Sequence, residues 1–200
     1  MKNILLLCLL LVGTHTALAQ KTFNSKAYGF SILKPERWIE ITSESIQKNL
    51  EKAGAGQKKL DELLKQEKNG VLVTSYYKYP IKAHKGIIPT VKVTLRTNPF
   101  TNFEAFKAAV TNTSDLKKMF PDLEIIDAPQ VVTVGGVKGL YFSCKFTLDL
   151  KNGTVMKIRS RSYSLPYKNK FYQINLQDGQ TEEDCTALFN ALIKSIKIGF

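Results

Sequence analysis

The sequence predicts an α+β fold, and three observations lead to it. Residues 131 to 176 read as three or four consecutive strands of an antiparallel meander, centred on Gly139–Leu150. Within it Leu140, Phe142, Cys144, Phe146, Leu148 and Leu150 alternate with mostly polar residues, the period of a half-buried strand. A helix follows at about 181 to 195 and can cover that apolar face, and earlier segments alternate between strand and helix patterns.

Residues 1 to 19 combine a basic Lys2, an apolar run from Ile4 to Val12 and a small-x-small Ala17-Leu18-Ala19 site. That layout is a secretory signal peptide, which leaves residues 20 to 200 as a single domain with an exported, periplasmic or extracellular, address. Cys8 lies inside the apolar run, after three leucines, where lipid attachment is not expected. No later stretch approaches the roughly 18 apolar residues of a transmembrane segment.

The mature chain is expected to open with a strand at Tyr28–Leu33, ended by Lys34-Pro35 and followed by Trp38 as a core plug. A lysine-rich helical region spans about Glu44 to Lys68, jointed at Ala53-Gly54-Ala55-Gly56 because interior glycines weaken a helix. Strands follow at Val71–Tyr79 and Val91–Thr97, separated by a loop holding Lys82, His84 and Lys85. Thr101-x-x-Glu104 reads as a capping box for a helix through Phe103, Phe106, Ala109 and Val110, and Gly135-Gly136 as a hairpin turn. Thr181-x-x-Asp184 caps the last helix, whose buried stripe is Cys185, Leu188, Phe189, Leu192 and Ile196, and Ser195–Ile198 ends in a short strand.

Turn chemistry fixes one register. A two-residue loop at Asn152-Gly153 places Lys157, Arg159 and Arg161 among Leu148, Phe146 and Cys144, a prohibitive burial of charge. A three-residue loop, Lys151-Asn152-Gly153, instead sets Met156 against Leu148 and Ile158 against Phe146. The opposite face then collects Lys145, Lys157, Arg159 and Arg161 beside Tyr141 and Tyr163, with Asp149 the only acid nearby. Cations interleaved with tyrosines suit phosphate, carboxylate or sugar. Solvated surface charge is the plainer reading of the same residues.

The formal charge is +12, or +11 once Lys2 leaves with the leader, which suits an unknown protein or anionic partner without pointing to specific nucleic-acid recognition. Two cysteines survive processing, Cys144 and Cys185. Both fall on apolar faces, so they form either a disulfide between strand and last helix or two buried thiols. Chemistry is otherwise scarce. The sequence holds no Gly-x-Ser-x-Gly elbow, P-loop, His-Glu-x-x-His or Cys-x-x-Cys. His84 is the one histidine outside the leader, and the carboxylate pairs lie on amphipathic helices. No catalytic residue, metal site or cofactor is assigned, and the oligomeric state is not readable.

The stretch Tyr28-Gly29-Phe30-Ser31-Ile32-Leu33-Lys34-Pro35-Glu36-Arg37-Trp38 resembles the start of the PsbP-like superfamily, which includes DcrB-type exported bacterial proteins. Val134–Phe142, Phe171-Tyr172 and the Ser195–Ile198 ending are similar too. The resemblance implies an α/β/α sandwich around a central antiparallel sheet. It also implies a fold used for binding, as in an extrinsic photosystem subunit, a Ran-binding import factor and bacterial envelope proteins, and it carries over no catalytic residues. The function expected on these grounds is an exported, non-catalytic binding or envelope accessory protein. A carrier of a small anionic ligand or glycan is the second reading, and a hydrolase a distant third.

Overall fold

The computed structural model describes residues 21–41, 70–150 and 154–200. The leader expected at residues 1–19, the jointed helical region expected over Glu44–Lys68 and the Lys151–Gly153 loop therefore lie outside the described residues. Strands β1 (Thr22–Ser25) and β2 (Phe30–Leu33) form a hairpin where the sequence suggested one strand from Tyr28. The next strands are β3 (Ile39–Ile41), β4 (Val71–Tyr77) and β5 (Thr90–Thr97). Helices α1 (Phe103–Val110) and α2 (Ser114–Met119) come next. The meander is β6 (Glu124–Val134), β7 (Val137–Asp149), β8 (Val155–Tyr167) and β9 (Lys170–Gly179). Helix α3 (Thr186–Ser195) and β10 (Lys197–Ile198) close the chain.

Among these residues seven strands form one antiparallel sheet in the order β3-β4-β5-β9-β8-β7-β6, and β1-β2-β10 form a smaller one. The β6–β7 turn is the glycine hairpin foreseen: Val134 pairs with Val137, and Gly135 and Gly136 take φ of 56° and 79°. Both central positions of such a turn need the left-handed region, which glycine enters without a Cβ clash. Pro129 sits in edge strand β6, where a missing N–H costs no ladder bond. The β7–β8 register is also the one argued from the turn, with Phe146 opposite Ile158 and Leu148 opposite Met156.

Cover of the two sheet faces departs from expectation. The last helix was expected over the Leu140–Leu148 face of β7. Instead α3 packs on the opposite face, where Phe189, Leu192 and Ile196 join Val91, Val93, Leu95, Leu165, Tyr172, Ile174 and Leu176, together with Phe30 and Ile32 of the small sheet. Leu116 and Phe120, from α2 and the residue after it, cover the β7 apolar stripe, meeting Cys144, Phe146 and Ile158. The Phe120 ring stacks on that of Phe146 at 4.1 Å. Two cores therefore lie on opposite sides of one sheet, and helices lie on both faces of it. Trp38 plugs the larger core edge-on to Phe189, at 6.4 Å.

Both helix starts move relative to their sequence signals. For α1 the cap is Asn102, whose side chain accepts from the Ala105 N–H at 2.9 Å. Helix α3 begins five residues beyond Thr181, with Asp184 Oδ1 accepting from the Thr186 N–H at 2.8 Å. Glu183 does not cap it; that carboxylate takes the Lys78 ammonium and the Tyr79 hydroxyl.

Candidate functional site

The cationic, tyrosine-bearing face exists in register. Lys145 opposes Arg159, Tyr141 opposes Tyr163, Lys157 opposes Thr147 and Arg161 opposes Ser143. Its charges are largely spoken for. Arg159 makes a two-pronged contact with Asp178, Nε to Oδ1 at 2.9 Å and Nη2 to Oδ2 at 3.1 Å, and reaches Asp184 at 3.2 Å. Arg161 Nη1 donates to the same Asp178 at 3.1 Å, Nη2 donates to the Thr186 hydroxyl at 2.6 Å, and the guanidinium lies 5.3 Å from the Phe189 ring centre. Lys145 pairs with Glu124 at 2.9 Å, and Tyr141 donates to Asp127 at 3.0 Å. Asp149 is therefore not the only acid nearby, as the sequence suggested: Asp178, Asp184, Glu124 and Asp127 all reach this face. Lys157 stays exposed, while Tyr141 and Tyr163 are half-buried with ring centres 4.7 Å apart. Burial pushes the Tyr163 hydroxyl up to about 12.

The two cysteines are free thiols on opposite faces of the sheet, Cys144 in the α2 core and Cys185 in the α3 core, so the strand-to-helix disulfide is corrected to two buried thiols. Burial raises both, Cys185 to about 11. Around His84 the Tyr79 ring stacks at 4.4 Å in a pocket edged by Glu182 and Glu183. Among the described residues no three His, Cys, Asp or Glu side chains assemble as a metal site.

A different place in the molecule has the shape and chemistry of a binding site. On the sheet face that carries the α2 core, the side chains change character between β7 and β8. β7 contributes Phe142, Cys144 and Phe146, whereas β8 contributes Ser160, Ser162 and Ser164, and β9 adds Gln173, Asn175 and Gln177. The β8–β9 pairing sets Ser160 against Gln177, Ser162 against Asn175 and Ser164 against Gln173. Six uncharged hydrogen-bonding side chains thus form a two-by-three lattice, spaced about 5 Å across the strands and about 7 Å along them. Val110, Leu116, Phe120 and Leu123 complete the walls, and the cavity measures about 390 Å³. Small-molecule sites span about 300–1,000 Å³ and are concave, mostly apolar and marked by a few placed polar groups. Among the described residues no charged side chain lines this one. Ser162 donates to Asn175 Oδ1 at 3.1 Å, which fixes the amide's orientation and turns its NH₂ to the remaining donor role.

No protein-family model and no curated protein sequence matches the chain. Solved structures do. Cyanobacterial PsbP (CyanoP) of Synechocystis sp. PCC 6803 superposes with a TM-score of 0.52 at 10% identity, over 93% of this chain and 96% of that one. LpqN of Mycobacterium tuberculosis, described as involved in cell envelope biogenesis, superposes with a TM-score of 0.50 at 13% identity, over 94% and 89%.

The fold is PsbP-like.

Within the PsbP-like fold the opening motif has a structural job. Gly29, at φ 59°, turns the β1–β2 hairpin; its carbonyl accepts from the Gly199 N–H at 2.9 Å. Tyr172 of the main sheet donates to the Tyr28 carbonyl at 2.5 Å, and its ring meets Phe30 at 5.2 Å. The motif therefore fastens the small sheet to the large one. What sequence reasoning missed is the polar lattice. Its signal was present as Ser160-x-Ser162-x-Ser164 and Gln173-x-Asn175-x-Gln177, two period-two polar runs.

Proposed function

We propose that this is an exported, non-catalytic binding protein, a single domain over residues 20–200, acting as an envelope accessory and holding an uncharged ligand in the groove between β8–β9 and α1–α2. One observation carries this reading: six neutral donor–acceptor side chains converge in a walled cavity of about 390 Å³. Ser162 and Asn175 already pair with each other, while Ser160, Gln173 and Gln177 are half-buried and keep hydrogen-bonding capacity toward the groove that a ligand can take over from water. The leader-like layout of residues 1–19 and the envelope role named for LpqN, a protein of the same fold, support the address. A small anion is the second reading. The pocket that favours it has about 190 Å³ and is lined by Lys26, Lys168 and Lys170 at the far end of the β8–β9 hairpin.

The test is a fragment screen followed by amide chemical-shift mapping. Uncharged polar fragments are expected to perturb residues 142–146, 160–164 and 173–177 together. Perturbations confined to Lys26, Lys168 and Lys170, seen with phosphate and not with neutral fragments, would move the site to the lysine pocket.

A further inference from the structure

Resting on the groove reading above, we infer that the groove's ligand is a neutral sugar ring, its hydroxyls on the Ser160/Ser162/Ser164–Gln173/Asn175/Gln177 lattice and its apolar C–H face against Phe142 and Phe120.

Three properties of the lining select this chemistry. First, with no charged residue in the wall among the described residues, a carboxylate or ammonium entering the groove sheds hydration without gaining a counter-charge, a loss that keeps ions out. Uronates, phosphosugars and amino sugars with a free amine are therefore poor fits. Second, a purely apolar ligand such as an acyl chain would strip water from the lattice and offer no hydrogen bond in return, leaving its groups unpartnered apart from the Ser162-to-Asn175 bond. Third, every one of the six groups both donates and accepts, and so does every sugar hydroxyl. A side-chain amide presents its carbonyl and NH₂ side by side, which matches two adjacent ring hydroxyls, one donating to it and one accepting from it. The Ser162-to-Asn175 bond orients that amide before any ligand arrives. Pre-orientation lowers the ordering cost of binding.

The apolar lining beside the lattice, on β7 and after α2, supplies the other half of the match. Phe142 is half-exposed beside the lattice, and Phe120 stacks on Phe146 behind it. A pyranose has one flat face of C–H groups, and such a face rests on an aromatic ring by apolar burial while the ring edge stays hydrogen-bonded. A planar base would also stack, but it separates donors from acceptors around its rim and matches a lattice of dual-purpose groups less well.

A printed glycan array carrying neutral and acidic oligosaccharides tests the inference. Binding to neutral glycans is expected. Asn175→Leu and the milder Ser162→Ala are each expected to cut the signal about tenfold or more, with thermal midpoints near that of the parent protein. Lys194→Gln, exposed on α3 at the other face of the sheet, should leave it unchanged. Silence on all neutral glycans, binding restricted to acidic ones, or a signal indifferent to Asn175→Leu and Ser162→Ala overturns the sugar assignment. The fragment map separates the two failures. If neutral fragments still settle at residues 160–164 and 173–177 while the array is silent, the groove stands and only the sugar class falls.

Discussion

Asp178 sits at 0% exposure between two guanidinium groups, receives three hydrogen bonds from Arg159 and Arg161, and also accepts from the Cys185 backbone N–H at 2.9 Å. A carboxylate so buried survives because its partners replace water on both oxygens. Arg161, 7% exposed, depends on the same residue and on Thr186 at the start of α3. Removing the acid while leaving both arginines strands buried positive charge, so Asp178→Ala is expected to cost about 3–5 kcal/mol, read as a lowered urea midpoint. A loss under about 1 kcal/mol would show that the pair is solvated rather than structural. Sequence reasoning set the arginines in register but put them on the face away from the last helix, whereas they lie under α3; it also missed their partner, because the last meander strand was ended at Leu176. Aspartate is depleted in strands. Its position two residues beyond Leu176 continues the inward alternation of Tyr172, Ile174 and Leu176, and that was the available clue.

At the level of elements, the register was legible and the covering helix was not. Strand β7 alone is apolar on one face, which suggested that the last helix lies there. Across the sheet the polarity reverses: β9 and β5 turn Ile174, Leu176, Val91 and Val93 to the other face, while their β8–β9 neighbours on the first face are serines and amides. A helix with a buried stripe seeks the broadest apolar surface, and for α3 that surface is built from strands far apart in sequence. Single-strand patterning cannot weigh it. One consequence is chemical. Cys144 and Cys185 are separated by the sheet, so unfolding residues 20–200 in denaturant without reductant should release two reactive thiols, one from each. The native protein should react slowly, since burial raises both thiols above their ordinary range. A single bridged cystine in the unreduced protein would contradict this arrangement.

The whole molecule has a formal charge of +12, yet its buried titratable groups set its pH range. Burial raises the hydroxyls of Tyr76 and Tyr172, takes Tyr163 to about 12, and takes Cys185 to about 11 from an ordinary 9.0. Each folded value lies above its unfolded one. The unfolded chain therefore releases these protons first, and the stability they contribute is whole below about pH 9 and declines as pH rises toward 11 and 12. On the acid side the Lys78 ammonium holds Glu183 below the usual carboxylate range. That increment is present above the unfolded value and lost as pH falls through the folded one. Urea midpoints measured against pH should form a plateau through neutrality and fall on the alkaline side; a midpoint unchanged to pH 11 would contradict the burial of these groups. Little of this was visible in the sequence, since tyrosine burial depends on which face each strand presents to α3 and the small sheet.

Division of labour between the sheet's two faces is the central claim: one face closed by Asp178 and α3, the other holding a neutral ligand over β8 and β9. The most direct test is the amide shift map of a neutral fragment hit, recorded on the parent protein and on Asn175→Leu. The account predicts shifts gathered at residues 142–146, 160–164 and 173–177 in the parent and abolished in Asn175→Leu, with Lys157 silent in both. Shifts centred on Lys145, Lys157 and Arg159, and indifferent to Asn175→Leu, would contradict it.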